Sequence, residues 1–265
     1  MRKPSKRFVL FTAISAVVIT ILSALPNWSQ TARIQPNQNK KAKPIDEKAI
    51  PTVGYDEAVR HQRKESTIEP QHLELRTLRN SRYDNQVWVQ KDEQSSEVLS
   101  TGHWWQGLSA LPVDQSDAIV IGEITTSQAY LSNDKSGVYS EFTIRIDETL
   151  KSPNSAALAP GDIIVGERAG GAVKFSSGRI TRYTLLGQGF PRPGRRYVLF
   201  LRMNEAGQDF HILTGYQLRR GKVQPLDQKD IFSPYEGYDQ TGLLDDIRNG
   251  LAQAEQKPAK GGIIR

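Results

Sequence analysis

The stretch from Glu141 to Leu150 constrains the fold most, because apolar and polar side chains alternate along it with one exception, Glu148. The apolar side is formed by Phe142, Ile144, Ile146 and Leu150. A period of two predicts a strand with one buried face. The β-branched run Ala118–Thr125 precedes it, and the turn-forming residues 133–137 lie between. The two runs predict a hairpin, and Gly122 within the first run indicates a bulge or a close backbone approach.

Further short strands are predicted after this hairpin, separated by turn residues. They are Ile163–Val165, Arg196–Arg202, Phe210–Tyr216 and Lys222–Val223. The apolar run within Arg196–Arg202 is typical of a strand buried on both faces. The glycine-rich stretch Gly166–Gly178 predicts a loop or a second hairpin. This spacing favours a small antiparallel barrel or a sandwich.

The C-terminal region predicts an amphipathic helix. Leu243, Leu244, Ile247 and Leu251 share one helical face, and Thr241 is a candidate N-cap. The predicted fold class is therefore mainly β, with a small antiparallel barrel or sandwich and a C-terminal helix. The polar tail, 256–265, is predicted to be disordered.

The N-terminal region predicts insertion into a membrane. Phe8–Leu25 contains no charged residue and follows Arg2, Lys3, Lys6 and Arg7. As a helix it is about 27 Å long, close to the hydrocarbon thickness of a bilayer. The basic flank keeps the N-terminus in the cytoplasm and directs the rest of the chain outward. The segment is longer than the apolar region of an ordinary signal peptide and lacks a good cleavage site, which favours an uncleaved transmembrane helix over a cleaved signal.

Four regions follow from these patterns. The membrane segment is 1–28, a polar and largely disordered tether is 29–85, the β-rich domain with its helix is 86–255, and the tail is 256–265. The tether is proline-bearing and poor in apolar residues, so it offers little burial to offset the entropy of ordering. A short helix is predicted within it at His72–Asn80.

The order of the predicted strands carries a resemblance. The motifs that carry it are Asp117–Ile124, Phe142–Ile146, Leu150-Lys151, Pro160-Gly161-Asp162 and Pro193–Leu201. They resemble exported bacterial proteins of unassigned function whose core is similar to the five-stranded barrel of netrin and tissue-inhibitor-of-metalloproteinase modules. The resemblance implies an OB-like barrel. Ser152 departs from the pattern, in which a glycine follows the lysine, and this chain lacks the N-terminal cysteine of the inhibitory modules.

Several kinds of chemistry are excluded or disfavoured. The chain contains no cysteine, so thiol catalysis and thiolate metal sites are excluded. The histidines at positions 61, 72, 103 and 211 do not fall at metal-ligand spacings, and His211 is predicted to be an exposed strand residue. Neither a nucleophile elbow nor a phosphate-binding loop occurs. We therefore predict no catalytic residue, no metal and no cofactor.

Two candidate binding features remain. The first is a set of cations that could share one anion-binding rim, namely Arg168, Lys174, Arg179, Arg182, Arg192, Arg195 and Arg196, with Arg219, Arg220 and Lys222 further along. The alternative, which we favour, is that these cations solvate loops and edge strands. The second is the pair Trp104 and Trp105, which either stacks on a sugar or peptide or, the favoured interpretation, caps the core.

These features predict a non-enzymatic, membrane-tethered binding or envelope-associated module. Its expected location is the bacterial cytoplasmic membrane, with a single pass and an extracytoplasmic domain, or the periplasm or exterior if the segment is cleaved. Expected partners are the bilayer, through Phe8–Leu25, and an anionic glycan, lipid headgroup or acidic protein. The net charge of +6 includes the N-terminal cations, so nucleic acid is not expected. Alternatives are an extracytoplasmic hydrolase or glycan-processing enzyme, and a protease-inhibitor-like module.

Overall fold

The computed structural model describes residues 50–64, 70–90, 97–100, 104–155, 157–204 and 209–256. These residues form a mainly β fold with a C-terminal helix, as predicted. The helices are α1 (Tyr55–Lys64), α2 (Pro70–Ser81) and α3 (Gln240–Gln256), with a short 3-10 helix at Ser233–Tyr235. The strands are β1 (Thr52–Gly54), β2 (Val89–Gln90), β3 (Glu97–Ser100), β4 (Ala118–Leu131), β5 (Val138–Lys151), β6 (Ile163–Ala169), β7 (Gly171–Lys174), β8 (Ile180–Leu185), β9 (Arg196–Met203), β10 (Phe210–Arg219) and β11 (Lys222–Pro225).

Several predicted segments lie outside the described residues. They are the membrane segment Phe8–Leu25, the first part of the tether at 29–49, and the tail from 257 onward. In the portion that is described, none of the helices is both long enough and apolar enough to cross a bilayer.

Five strands pair in an order that returns to its starting strand. β4 pairs with β5 and β9, β5 pairs with β6, and β9 pairs with β10, all antiparallel. β6 and β10 complete the order as a parallel pair. We call this set the five-strand ring. β11 continues from β10, and the predicted β4–β5 hairpin is confirmed.

Strand β9 is buried on both faces because a different apolar cluster covers each face. On β9, Leu199 and Leu201 belong to one apolar cluster, while Val198 and Phe200 belong to another. The second cluster also includes Leu243 and Ile247 of α3. The C-terminal helix therefore covers one side of the ring, which explains the uninterrupted apolar run of β9.

Gly122 confirms the prediction made for β4. The pairing of β4 with β5 shifts register between Ile121 and Gly122, as at a bulge. A Cβ atom added at Gly122 would lie 2.6 Å from the carbonyl oxygen of Arg145. The strands approach so closely here that only glycine fits without a shift.

A second sheet includes part of the predicted tether. Its order is β1-β7-β8-β3-β2, and β1 pairs in parallel with β7. Ile50 and Val53 are buried, and α1 packs Tyr55 and Ala58 against a third apolar cluster. The described part of 29–85 is therefore folded, in contrast to the largely disordered tether that its composition predicts. The composition could not reveal that β7 supplies a pairing partner to so short a strand.

The start of α3 differs in one detail from the prediction. The Asp239 carboxylate accepts hydrogen bonds from the backbone N–H groups of Thr241 and Gly242, at 3.0 and 3.4 Å. Asp239 therefore caps the helix, rather than Thr241. A carboxylate at this position also interacts favourably with the helix dipole.

Candidate functional site

Helix α2 and the residue that follows it carry three arginines on one side. Arg76, Arg79 and Arg82 are spaced by three residues, so their side chains project in similar directions. We call these residues the arginine stripe. They face the sheet and are only partly exposed, with 16–23% of each side chain accessible.

Three carboxylates lie opposite the stripe. Glu141 lies on β5, Glu167 on β6, and Asp209 directly precedes β10. Glu141 and Glu167 are register partners across β5 and β6, and Glu167 is in turn the partner of His211 on β10. We call Glu141, Glu167 and Asp209 the acidic face. The ring thus assembles three carboxylates that are far apart in sequence.

The first two arginines engage both ends of the acidic face. Arg76 donates from both terminal nitrogens to the two carboxylate oxygens of Glu141, and one of these nitrogens also donates to the Tyr139 hydroxyl at 3.1 Å. Arg79 donates from Nε to Oδ2 of Asp209, and its Nη1 lies 3.6 Å from Oε1 of Glu141. The forked guanidinium suits this two-point recognition of carboxylates.

Arg82 and Asn204 complete the cluster around Glu167. Arg82 Nη1 donates to Oε1 of Glu167 at 2.9 Å and to Oδ1 of Asp209 at 3.0 Å. The Asn204 side-chain amide donates to the same two oxygens, at 2.8 and 2.7 Å. Glu167 Oε1 and Asp209 Oδ1 are therefore held by donors from two sides, while Glu167 Oε2 is buried and accepts no hydrogen bond from the residues that the structure describes.

Burial dominates the electrostatics of this cluster. It raises the pKa of Glu167 to about 7, against the opposing effect of Arg82, and the nearby Asp209 charge raises that pKa further. Burial also lowers the pKa of His211 to about 4, together with the charges of Arg168, Arg202 and Arg82. His211 is half-buried, so the prediction of an exposed strand histidine is wrong.

Arg168 does not belong to a surface rim. Its side chain is fully buried and forms a two-point ion pair with Asp227, with N–O distances of 2.7 and 2.9 Å. It also donates to the carbonyl oxygens of Ile212, Leu213 and Gly189. The prediction fails here because a guanidinium with all its donors satisfied can be accommodated inside the fold.

The remaining predicted cations lie in separate places. Lys174 and Arg179 are exposed on the β7–β8 hairpin, and Arg182 on β8 is half-buried opposite Glu97 of β3. The other three, Arg192, Arg195 and Arg196, are exposed around the turn that leads into β9. Arg196 donates to Asp147 at 2.8 Å. Arg219, Arg220 and Lys222 are exposed at the β10–β11 turn.

Trp104 packs on the core, in agreement with the favoured interpretation of the tryptophan pair. Its ring stacks on buried Phe232 with a centroid distance of 6.2 Å, and its Nε1 donates to the carbonyl oxygen of Leu186. Trp105 lies edge-on to Trp104, with Lys229 Nζ 3.5 Å from its ring centroid. The predicted role in ligand stacking is untested for Trp105. His103 lies outside the described residues.

Sequence reasoning missed the acidic face and the arginine stripe. The spacing of Arg76, Arg79 and Arg82 is visible in the sequence, but the surrounding composition favoured a tether. No local sequence pattern marks the three carboxylates as neighbours, because strand pairing brings them together. Among the described residues, no group of histidine and carboxylate side chains is suited to hold a metal.

No protein-family model matches the chain, and no curated protein matches it.

The raised pKa of Glu167 predicts a specific pH dependence of stability. Because the folded pKa lies above the unfolded value of about 4.3, stability is highest below that value and falls as the pH rises through about 7. Glu167→Gln should reduce the difference in free energy of unfolding between about pH 5 and about pH 8 by roughly 2 kcal/mol. Chemical denaturation followed by circular dichroism measures this difference.

Glu148→Gln serves as the control, because Glu148 also lies on β5 but 46% of its side chain is accessible to solvent. An equal pH dependence in wild type and Glu167→Gln would contradict the assignment.

Proposed function

We propose that this chain is a non-enzymatic binding module that works outside the cytoplasm and is tethered to a membrane through Phe8–Leu25. The uncharged run and its basic flank support the tether. The ion pairs of Glu141 and Asp209 with arginines support binding or scaffolding.

We infer that the five-strand ring is an OB-like barrel. Its support is the pairing order, in which β4, β5, β6, β10 and β9 follow one another and return to β4. A second support is the apolar cluster shared by the ring strands, to which Val120, Ile144 and Leu199 contribute. Such barrels are binding scaffolds whose ligands contact strand faces and loops.

The β7–β8 hairpin is the proposed anion-binding surface, and this is the observation that carries the function. Lys174 and Arg179 are both exposed, and Arg179 lies over the ring of Phe175, with Cζ 5.3 Å from the ring centroid. Stacking orients the guanidinium while its donors remain available to an anion. Arg196, by contrast, is neutralised by Asp147.

Retention of detergent-solubilised full chain on anionic resins tests this surface. The double variant Lys174→Gln/Arg179→Gln should lower apparent affinity roughly tenfold or more, because each cation near an anionic surface contributes about 1 kcal/mol. Resins bearing an anionic polysaccharide and an anionic phospholipid separate the two ligand sources. The matched control is Arg219→Gln/Arg220→Gln, which removes two exposed cations from another turn. Equal losses in both double variants would contradict a specific hairpin site.

The location of the chain is tested separately by fractionation with a C-terminal tag. We expect a full-length product in the membrane fraction, released by detergent and not by high salt, because the apolar segment is retained in the bilayer. Protease added outside the cytoplasmic membrane should digest the tagged domain. A shortened, soluble product would instead show that the segment is a cleaved signal.

A further inference from the structure

We propose that the acidic face is an interaction surface for an arginine-bearing helix of a partner polypeptide, and that α2 occupies this surface in cis. The geometry of α2 itself displays the mode of recognition. Arg76 lies over the ring of Tyr130, 4.0 Å from the ring centroid, while its guanidinium engages Glu141. Arg79 simultaneously engages Asp209.

The attachment of α2 is polar, which makes the helix exchangeable. Among the side chains that the structure describes, none from α2 belongs to the three apolar clusters, and Leu78 is 46% exposed. Helix α1, by contrast, packs Tyr55 and Ala58 on the third cluster. Release of α2 therefore breaks mainly ion pairs and hydrogen bonds, including the one that the buried Asn80 side chain accepts from the Tyr139 hydroxyl at 2.7 Å.

The residues immediately after α2 are held in place by the β4–β5 hairpin, so the helix can leave the surface while the chain after it stays bound. Tyr83 is buried and stacks on Tyr139, with ring centroids 4.4 Å apart. A Cβ atom at Gly137 would lie 2.0 Å from the Tyr83 carbonyl oxygen, which shows how closely the β4–β5 turn approaches. Asn85 N–H donates to Asp134 at 2.7 Å. Residues 83–86 thus stay docked when the helix leaves.

The chemistry of the vacated surface specifies the partner. Departure of Arg76 and Arg79 leaves Glu141 without the guanidinium groups that offset its burial, and it leaves Asp209 with Arg82 alone. An occupant must restore positive charge, because an uncompensated buried carboxylate is costly. The same surface offers the Tyr130 ring and the Tyr139 hydroxyl, both of which contact Arg76. A helix with arginines three residues apart matches all of these groups.

The position of the acidic face in the proposed barrel supports the same conclusion. The second and third strands and the loops after the first and fourth strands form the ligand surface of OB-type barrels. In the ring these strands are β5 and β6, which carry Glu141 and Glu167, and Asp209 precedes β10. Asn133, in the β4–β5 turn, donates to the Thr77 carbonyl oxygen of α2 at 2.9 Å. Helix α2 thus covers the surface where a ligand is expected.

A fluorescent peptide with the sequence of residues 70–82 tests the proposal, with fluorescence anisotropy as the readout. It should bind the full-length Arg76→Gln/Arg79→Gln variant at least roughly tenfold more tightly than wild type, because in wild type the helix in cis competes at high effective concentration. Adding Glu141→Gln and Asp209→Asn to that variant should abolish binding. A peptide with glutamine in place of its arginines is the negative control.

A folded Arg76→Gln/Arg79→Gln variant that does not bind the peptide would overturn the proposal. Equal binding to the variant that also lacks both carboxylates would overturn it as well.

A second measurement uses the absence of cysteine from the chain. A fluorophore on Leu78→Cys, at an exposed position of α2, should become more mobile when unlabelled peptide displaces the helix. Unchanged mobility at saturating peptide would also overturn the proposal, even if the double variant fails to fold.

Discussion

Three carboxylates are buried on one face of the sheet, and their need for positive charge holds α2 against the five-strand ring. Glu141, Glu167 and Asp209 are brought together by strand pairing, and removal of a carboxylate from water is costly unless a cation is supplied. The cations come from α2 and from Arg82 directly after it, both outside the five-strand ring. The acidic face therefore explains why a polar segment that precedes the ring in sequence is docked against it.

The same rule operates at Arg168 and Asp227 in the interior. That ion pair is fully buried, and Thr214 and the Gly189 N–H donate to the Asp227 carboxylate at 2.8 Å. These contacts connect β6 and β10 to the loops that contain Gly189 and Asp227. In a chain without cysteine, such satisfied polar pairs hold together segments that are distant in sequence. The two clusters differ in burial. Arg168 is fully enclosed, whereas the arginines of α2 are partly exposed at the surface.

The sequence predicts those features that depend on local patterns. Alternation identifies β5, Gly122 identifies the close approach to Arg145, and the spacing of Leu243 and Ile247 identifies α3. The composition of 29–85 misleads, because β1 is held by pairing with β7 and not by apolar content of its own. Pairing, register and the partners of charged side chains are long-range properties that a single sequence does not display. For that reason Arg168 was predicted at the surface, and the acidic face was not predicted at all.

Hydrogen exchange of the full chain at single-peptide resolution tests most directly whether α2 is a separable helix held by its arginines. We predict that α2 amides exchange at least roughly tenfold faster than β4 and β5 amides, through local opening. Arg76→Gln should accelerate α2 exchange by a further factor of roughly ten and leave the strands unchanged. Arg145→Gln, at an exposed ion pair with Glu123, should change neither. Equal protection of α2 and the strands, lost together in Arg76→Gln, would contradict the account.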